Sequence, residues 1–187
     1  ESRGVGSDLA QSLQELEDEG YTVQPDDSYL IGYLAIQPKN ENITLKVRRA
    51  IAHAISRSQL KQVLPYVIPL DTFGIGSAMN KDLQTYEYNP EKARELLEEA
   101  NFQQQGRWTI ATTYEGSGAR RLLEAIAAML GEVGIRAEVA QVDNPTYNAQ
   151  FFEGTEIDLG YDGMIIKPFD ASSPILRSDG RENPGYE

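Results

Sequence analysis

Apolar residues along this chain change their spacing several times, from the helical repeat to the strand repeat and back. Such alternation admits few folds, because each helix needs a sheet to cover and each strand needs neighbours to pair with. The helical pattern is clearest in "TLKVRRAIAHAISRSQLKQVL". There Val47, Ile51, Ala54, Ile55 and Leu60 build one apolar face, while Arg48, Arg49, Arg57 and Lys61 lie mostly elsewhere. "NPEKARELLEEANF" is a second helix: Asn89 caps it, Pro90 suits the first helical position, Glu91 favours the positive end of the dipole, and Asn101 can take the left-handed conformation that stops it. "GARRLLEAIAAMLGEVG" brings Leu122, Ile126 and Leu130 into register, and "NPTYNAQFFEG" reads as a short helix. "SDLAQSLQELEDEG" is a further helix, from an N-cap at Ser7 to a stop at Gly20, with Leu9, Leu13 and Leu16 on one face and the acid run over 15–19 exposed.

Between these lie "YLIGYLAIQP", "RWTIATTYE", "IRAEVAQVD" and "YDGMII", which read as strands, and a Pro-, Gly- and Tyr-rich loop over 65–88. The pattern predicts an α/β fold with a mixed sheet flanked by helices. It places a single helix over 45–64 across that sheet, through Val47, Ile51, Ala54 and Ile55.

A length of 187 residues, 40% of them hydrophobic, allows one domain or a compact pair of subdomains with a sizeable core. The net charge of −12 argues against nucleic acid and against anionic membrane surfaces, both of which attract clustered Lys and Arg. A cationic or zwitterionic ligand is compatible with it. With no cysteine there is no disulfide, no thiolate metal site and no cysteine nucleophile. The opening, "ESRGVGSDLA", has neither an initiator Met nor the basic start of a signal peptide, and reads as an excised piece or a mature fragment.

Little in the chain promises catalysis. The one histidine, His53, lies among Ala52, Ala54 and Ile55 on a helix, where a packed or surface role outweighs a catalytic one. A triad or a zinc site has almost no material, and no metal site or cofactor is expected. Ser117 in "GSG" lacks the Lys of a phosphate loop, so Gly116 and Gly118 read as a strand end and a helix start. Asp158 and Asp162 would share one face of an extended segment, where they suit a metal or acid–base work but read better as solvated acids at a strand entry. Arg48 and Arg49 suggest an anion site less than they suggest pairs with nearby acids.

"LKVRRAIAHAISRSQL" resembles the helix signature of the family 5 extracellular solute-binding proteins, the peptide, dipeptide and nickel receptors of ABC importers. The matching positions are Val47, Arg48, Ala50, Ile51, Ala54, Ile55, Arg57 and Leu60. "YEYNPEKARELLEEANF", "LLEAIAAMLGEVGIRAEVAQVD", "YDGMII" and "ENPGYE" are similar to further blocks of that family, and they follow in its order. The resemblance covers most of the chain. It implies that residues 1–187 are most of the C-terminal lobe of a bilobal, type II periplasmic-binding-protein architecture, with the partner lobe absent. It also implies an exported protein, periplasmic or held at the cell surface.

The same resemblance bears on "KPFDASSP". By composition alone this is a turn after a buried strand, with Asp170 accepting backbone N–H bonds. Peptide-binding members of the family often carry an Asp four residues before a Pro here, which takes the peptide's α-ammonium group, and Asp170 stands in that relation to Pro174. Lys167 occupies the place of the family's Trp and can pair with Asp170 or meet a ligand carboxylate. Phe169 and Tyr161 are candidate apolar walls. The expected function is thus peptide binding between two lobes, without catalysis, for delivery to a membrane permease. A ligand-sensing domain of a regulator and a nickel or metal-chelate receptor are the alternatives. A hydrolase built on Asp158, Asp162 or Asp170 has no motif behind it.

Overall fold

A computed structural model of the protein describes residue 13 and residues 15–22, 30–64 and 85–165. Four strands form one sheet: β1 (Leu30–Ile36), β2 (Trp108–Thr112), β3 (Ala137–Gln141) and β4 (Leu159–Ile165), in the order β1-β4-β2-β3. β2 runs parallel to both β3 and β4, and β1 is antiparallel to β4, so the sheet is mixed as expected. The helices are α1 (Leu45–Ala54), α2 (Arg57–Val63), α3 (Pro90–Glu99), α4 (Ser117–Glu132) and α5 (Asn144–Tyr147). A π-helical stretch, Asn148–Glu153, continues α5.

The register sorts side chains into rows across all four strands. Ile36, Leu159, Ile110 and Val139 are direct neighbours in one row, and they belong to the main core with Val47, Ile51, Leu97, Leu123 and Leu130. The next row faces the other way, because side chains alternate along a strand. It contains only small residues: Ala35, Gly160, Ala111 and Ala140. That shallow floor lets large rings approach the backbone. Tyr147 and Phe151 lie over it, stacked with centroids 5.4 Å apart, and Phe152 closes on both rings. The Tyr147 hydroxyl occupies the space that a β-carbon at position 160 would fill.

The helix expected over 45–64 is two helices. Ile55 and Ser56 between them are extended, and the Ser56 side chain caps α2 by accepting the Gln59 N–H at 3.3 Å. The freed groups find partners: the Ser56 N–H donates to Met129 Sδ at 3.3 Å, and the His53 carbonyl accepts the Asn89 N–H at 2.8 Å. The break is visible in retrospect in Ser56-Arg57-Ser58-Gln59, which has the spacing of a capping box. Val47, Ile51 and Ala54 are buried as expected, and Ile55 is partly buried against the same core. The main neighbour of α1 is α3, not the sheet. It therefore sits as an outer layer whose apolar face meets that of α3.

α3 begins and ends as its sequence dictates. The Asn89 side chain accepts the Lys92 N–H at 2.9 Å, Pro90 takes the first turn, and Asn101 stops the helix at φ +48°. Gly20, at φ +92°, closes the helical stretch at residues 15–18, where Tyr21 N–H reaches the Leu16 carbonyl and Gly20 N–H the Glu17 carbonyl. On the face its leucines suggested, Leu16 is 40% exposed and Leu13 is partly buried. Ser7 and Leu9 lie outside the described residues, as does most of the loop expected over 65–88.

Candidate functional site

Open α/β sheets receive ligands outside the carboxyl ends of their parallel strands. Here that edge lies beyond Thr112 and along the second half of β4. Thr112 pairs with Tyr161, and residues 162–165 of β4 run on beside β1. Thr112 is buried, and its Oγ1 accepts the Tyr114 N–H at 3.1 Å. This hydroxyl turn bends the chain as it leaves β2. Tyr114 consequently lies edge-to-face on Tyr161, with centroids 5.9 Å apart and planes at 64°. Its hydroxyl donates to Asp162 Oδ1 at 3.3 Å, and the Gly163 N–H donates to the same oxygen at 2.7 Å.

Tyr161 is the expected site residue that falls within the described part of the chain, and it stands at this edge. Its ring packs against the main core, and its hydroxyl end crosses Gly32, where an added β-carbon would lie 2.6 Å from the oxygen. Tyr33 is the cross-strand partner of Asp162. Burial, and then the negative charge of Asp162, push the Tyr114 hydroxyl up to about 12. The same causes in the same order raise Tyr161. Both phenols therefore stay protonated, as hydrogen-bond donors, through the physiological range. Lys167, Phe169 and Asp170 lie outside the described residues.

Asp158 corrects the reading of a solvated acid. It is only 9% exposed; one carboxylate oxygen accepts the Thr109 N–H at 2.9 Å and the other the Asn40 Nδ2 at 2.8 Å. It ties β2, β4 and the turn after β1 together. Burial raises its pKa above the ordinary carboxylate range, against the opposing pull of those bonds. Asp158, just before β4, and Asp162, within it, thus occupy different surroundings and do not act as an acid pair. The spacing showed the shared face but not that Thr109 and Asn40 would meet the first of them.

The remaining candidates take structural roles. His53 Nδ1 donates to the Glu87 carbonyl at 2.7 Å, and its ring meets Tyr86 edge-on. Arg48 Nε donates to the Ile43 carbonyl at 3.2 Å, where a carboxylate partner was expected. Gly116, at φ +116°, precedes α4, and Gly118 is buried in its first turn, as the strand-end reading required. Among the described residues no three His, Asp or Glu side chains are grouped to hold a metal ion. Tyr114 and Tyr33 were missed as site residues; the available signal was Thr112, whose hydroxyl two residues before Tyr114 favours a turn.

Residues 5–184 match the model of the bacterial extracellular solute-binding proteins, family 5 Middle. A Brucella ovis protein that carries the name of an ABC transporter peptide-binding protein is 33% identical over 142 residues, which is 71% of this chain and 26% of that protein. The glutathione-binding protein GsiB of Shigella flexneri is 33% identical over 103 residues, 52% of this chain and 20% of its own length. The chain thus spans about a quarter of the length of such relatives. Among solved structures, the ABC transporter substrate-binding protein CtaP of Listeria monocytogenes superposes with a TM-score of 0.75 at 14% identity, over 93% of this chain and 42% of that one. NikA of Brucella suis, in complex with Fe(III)-EDTA, gives 0.74 at 19% identity over 92% and 39%. The oligopeptide-binding protein AppA of Bacillus subtilis, in complex with a nonapeptide, gives 0.67 at 18% identity over 89% and 40%. With its sequence matched almost from end to end and its mixed sheet shared with these receptors, the chain belongs to the bacterial extracellular solute-binding proteins of family 5.

Proposed function

We propose that residues 1–187 form most of one lobe of a peptide receptor serving an ABC importer, and that the receptor binds its ligand between this lobe and a partner lobe without chemical change. The observation that carries this reading is the 33% identity, over 71% of the chain, to a protein named for peptide binding in ABC transport. The carboxyl edge of the sheet supports it. Tyr161 and Tyr114 offer a partly exposed aromatic wall there, just before the segment that carries Lys167, Phe169 and Asp170. In this reading Asp170 takes the peptide's ammonium terminus, Phe169 and Tyr161 are apolar walls, and Lys167 meets a carboxylate. A fixed acid can anchor any peptide by its amino end, in a charge-assisted bond of roughly 1.5–3 kcal/mol once the cleft excludes water.

Closure follows from the energetics. Only the closed state touches the ligand from both sides, so binding shifts the population toward it, and the closed form docks on the permease outside the membrane. NikA shares the fold, but at 19% identity that likeness speaks to the fold alone. The test is calorimetric titration of tri- to pentapeptides against the full-length receptor and against residues 1–187. The full-length protein should bind, and the single lobe far more weakly, because half a cleft leaves its anchors screened by water. Equal affinity would place the whole site within these residues and overturn the two-lobe reading. In the full-length receptor Asp170→Asn should erase the penalty for acetylating the peptide's amino terminus. An unchanged penalty would make Asp170 a turn residue.

A further inference from the structure

The geometry points to a cation-reading position at Asp162, where this lobe takes a guanidinium or ammonium side chain of its ligand, an inference that rests on the peptide-receptor reading above. Two carboxylates, Asp158 just before β4 and Asp162 within it, are in contrasting states. Asp158 is buried and spends both oxygens on Thr109 and Asn40. Asp162, four residues on, is only partly buried, and the bonds it accepts both fall on Oδ1. The bond from Tyr114 is long for a hydroxyl donor, so it holds the carboxylate lightly. Oδ2 accepts no hydrogen bond from the described residues, and among them no Lys or Arg is paired with this acid.

The surroundings suit a cation. Tyr114 stands beside the carboxylate and Tyr33 is its neighbour across the strand pair, while Tyr161 projects to the opposite face and makes its edge contact with Tyr114. Rings and an acid together attract guanidinium and ammonium groups, through the negative ring faces and through charge-assisted hydrogen bonds. The carboxylate is also partly exposed on its own face of the sheet. Tyr147 and Phe151 cover Gly160, the preceding residue on that face, and the partly exposed Asp162 follows toward the carboxyl edge.

The test uses the full-length receptor and two kinds of probe. In the first arm, alanine tetrapeptides with one arginine, scanned through the four positions, are compared with their citrulline counterparts by calorimetry. At one position arginine should bind about tenfold more tightly than citrulline, the low end expected for a charge-assisted bond at a partly exposed site. Asp162→Asn should bring that ratio close to one, whereas Tyr114→Phe should reduce it less. In the second arm, methylguanidinium is titrated while the tyrosine ring resonances are followed by NMR, with thermal unfolding of each variant as the check on folding. It should shift the Tyr114 and Tyr161 rings in the wild type and not in Asp162→Asn. Tetrapeptide binding with no arginine preference, or with a preference that survives Asp162→Asn, overturns the cation site and leaves the receptor reading standing. Ring shifts that need Asp162, without any peptide binding, support the cation site and overturn the peptide reading. Failure of both arms overturns both.

Discussion

The Tyr147 hydroxyl stands where a β-carbon on Gly160 would be, so the ring on one side of the sheet and the glycine in its floor require each other. Phe151 crowds the same point, with a ring carbon 3.3 Å from that position. Neither ring can swing aside, because Tyr147, Phe151 and Phe152 lock one another in stacked and edge contacts. Gly160→Ala should therefore destabilise the protein by about 1–3 kcal/mol, the cost of overpacking a filled site. Urea unfolding measures it. A substitution cost near zero would show that the rings can lift from the sheet.

Asp158 predicts an unusual pH dependence. Its folded-state pKa is raised, with burial as the leading cause. The folded protein thus holds this proton more tightly than the unfolded chain does. The stability that Asp158 contributes is fully present below the ordinary carboxylate pKa and is lost as pH rises through the raised value. Asp158→Asn removes this titration. The substitution should accordingly cost more stability at pH 3 than at pH 7. A larger cost at pH 7 would mean that the hydrogen bonds from Thr109 and Asn40 outweigh burial, and the sign would be reversed.

What could be read in the sequence followed the physics of local structure. The Asn89 cap, the Asn101 stop and the apolar stripe of α4 are decided within a turn or two of chain, and each was legible. The two-helix break at Ser56 was obscured because Ile55 and Leu60 continue the apolar face across it. The deciding contacts come from Met129 and Asn89, far away in sequence. The edge site was legible only in part, for the same reason. Tyr161 could be placed on a strand by its neighbours, but its contact with Tyr114 depends on the parallel register of Thr112 and Tyr161. Pairing partners in a sheet are non-local, so no periodicity within either strand announces them.

The phenol of Tyr114 offers a direct readout of that edge. Burial and the charge of Asp162 raise it to about 12. Asp162→Asn removes the charge but not the burial, so the Tyr114 pKa should fall while staying above the ordinary tyrosine value near 10. Because the folded-state value is raised, the stability linked to this group is present below pH 10 and lost as pH rises toward 12. Ring-carbon NMR titration of the wild type and the variant measures both. An unshifted value in Asp162→Asn would separate the two side chains and remove their hydrogen bond as the link.

Gln37 predicts the largest effect from a polar group outside the edge. Its side chain is fully buried, and Nε2 faces three carbonyls of the segment that leads into β4: Phe151 at 2.7 Å, Ile157 at 3.3 Å and Gly154 at 3.4 Å. Oε1 accepts the Lys39 N–H, and Lys39 Nζ then reaches the carbonyls of Phe152 and Glu153 at 2.7 and 3.1 Å. The residues just after β1 therefore satisfy the unpaired carbonyls at the end of the π-helical stretch, which a helix terminus cannot satisfy by itself. Gln37→Leu keeps the bulk and removes the donor. It should cost roughly 1–3 kcal/mol for each buried carbonyl left without a partner, and Phe151 and Ile157 both qualify. Urea unfolding gives the total, and hydrogen exchange of the Gly154 amide, bonded to the Ala149 carbonyl at 2.7 Å, reports whether the stretch itself loosens. Lys39→Met, which removes only the exposed bonds, should cost less than about 1 kcal/mol. If Gln37→Leu proves as mild as Lys39→Met, with the Gly154 amide equally protected, then the aromatic stack over Gly160 holds this segment and the buried amide does not.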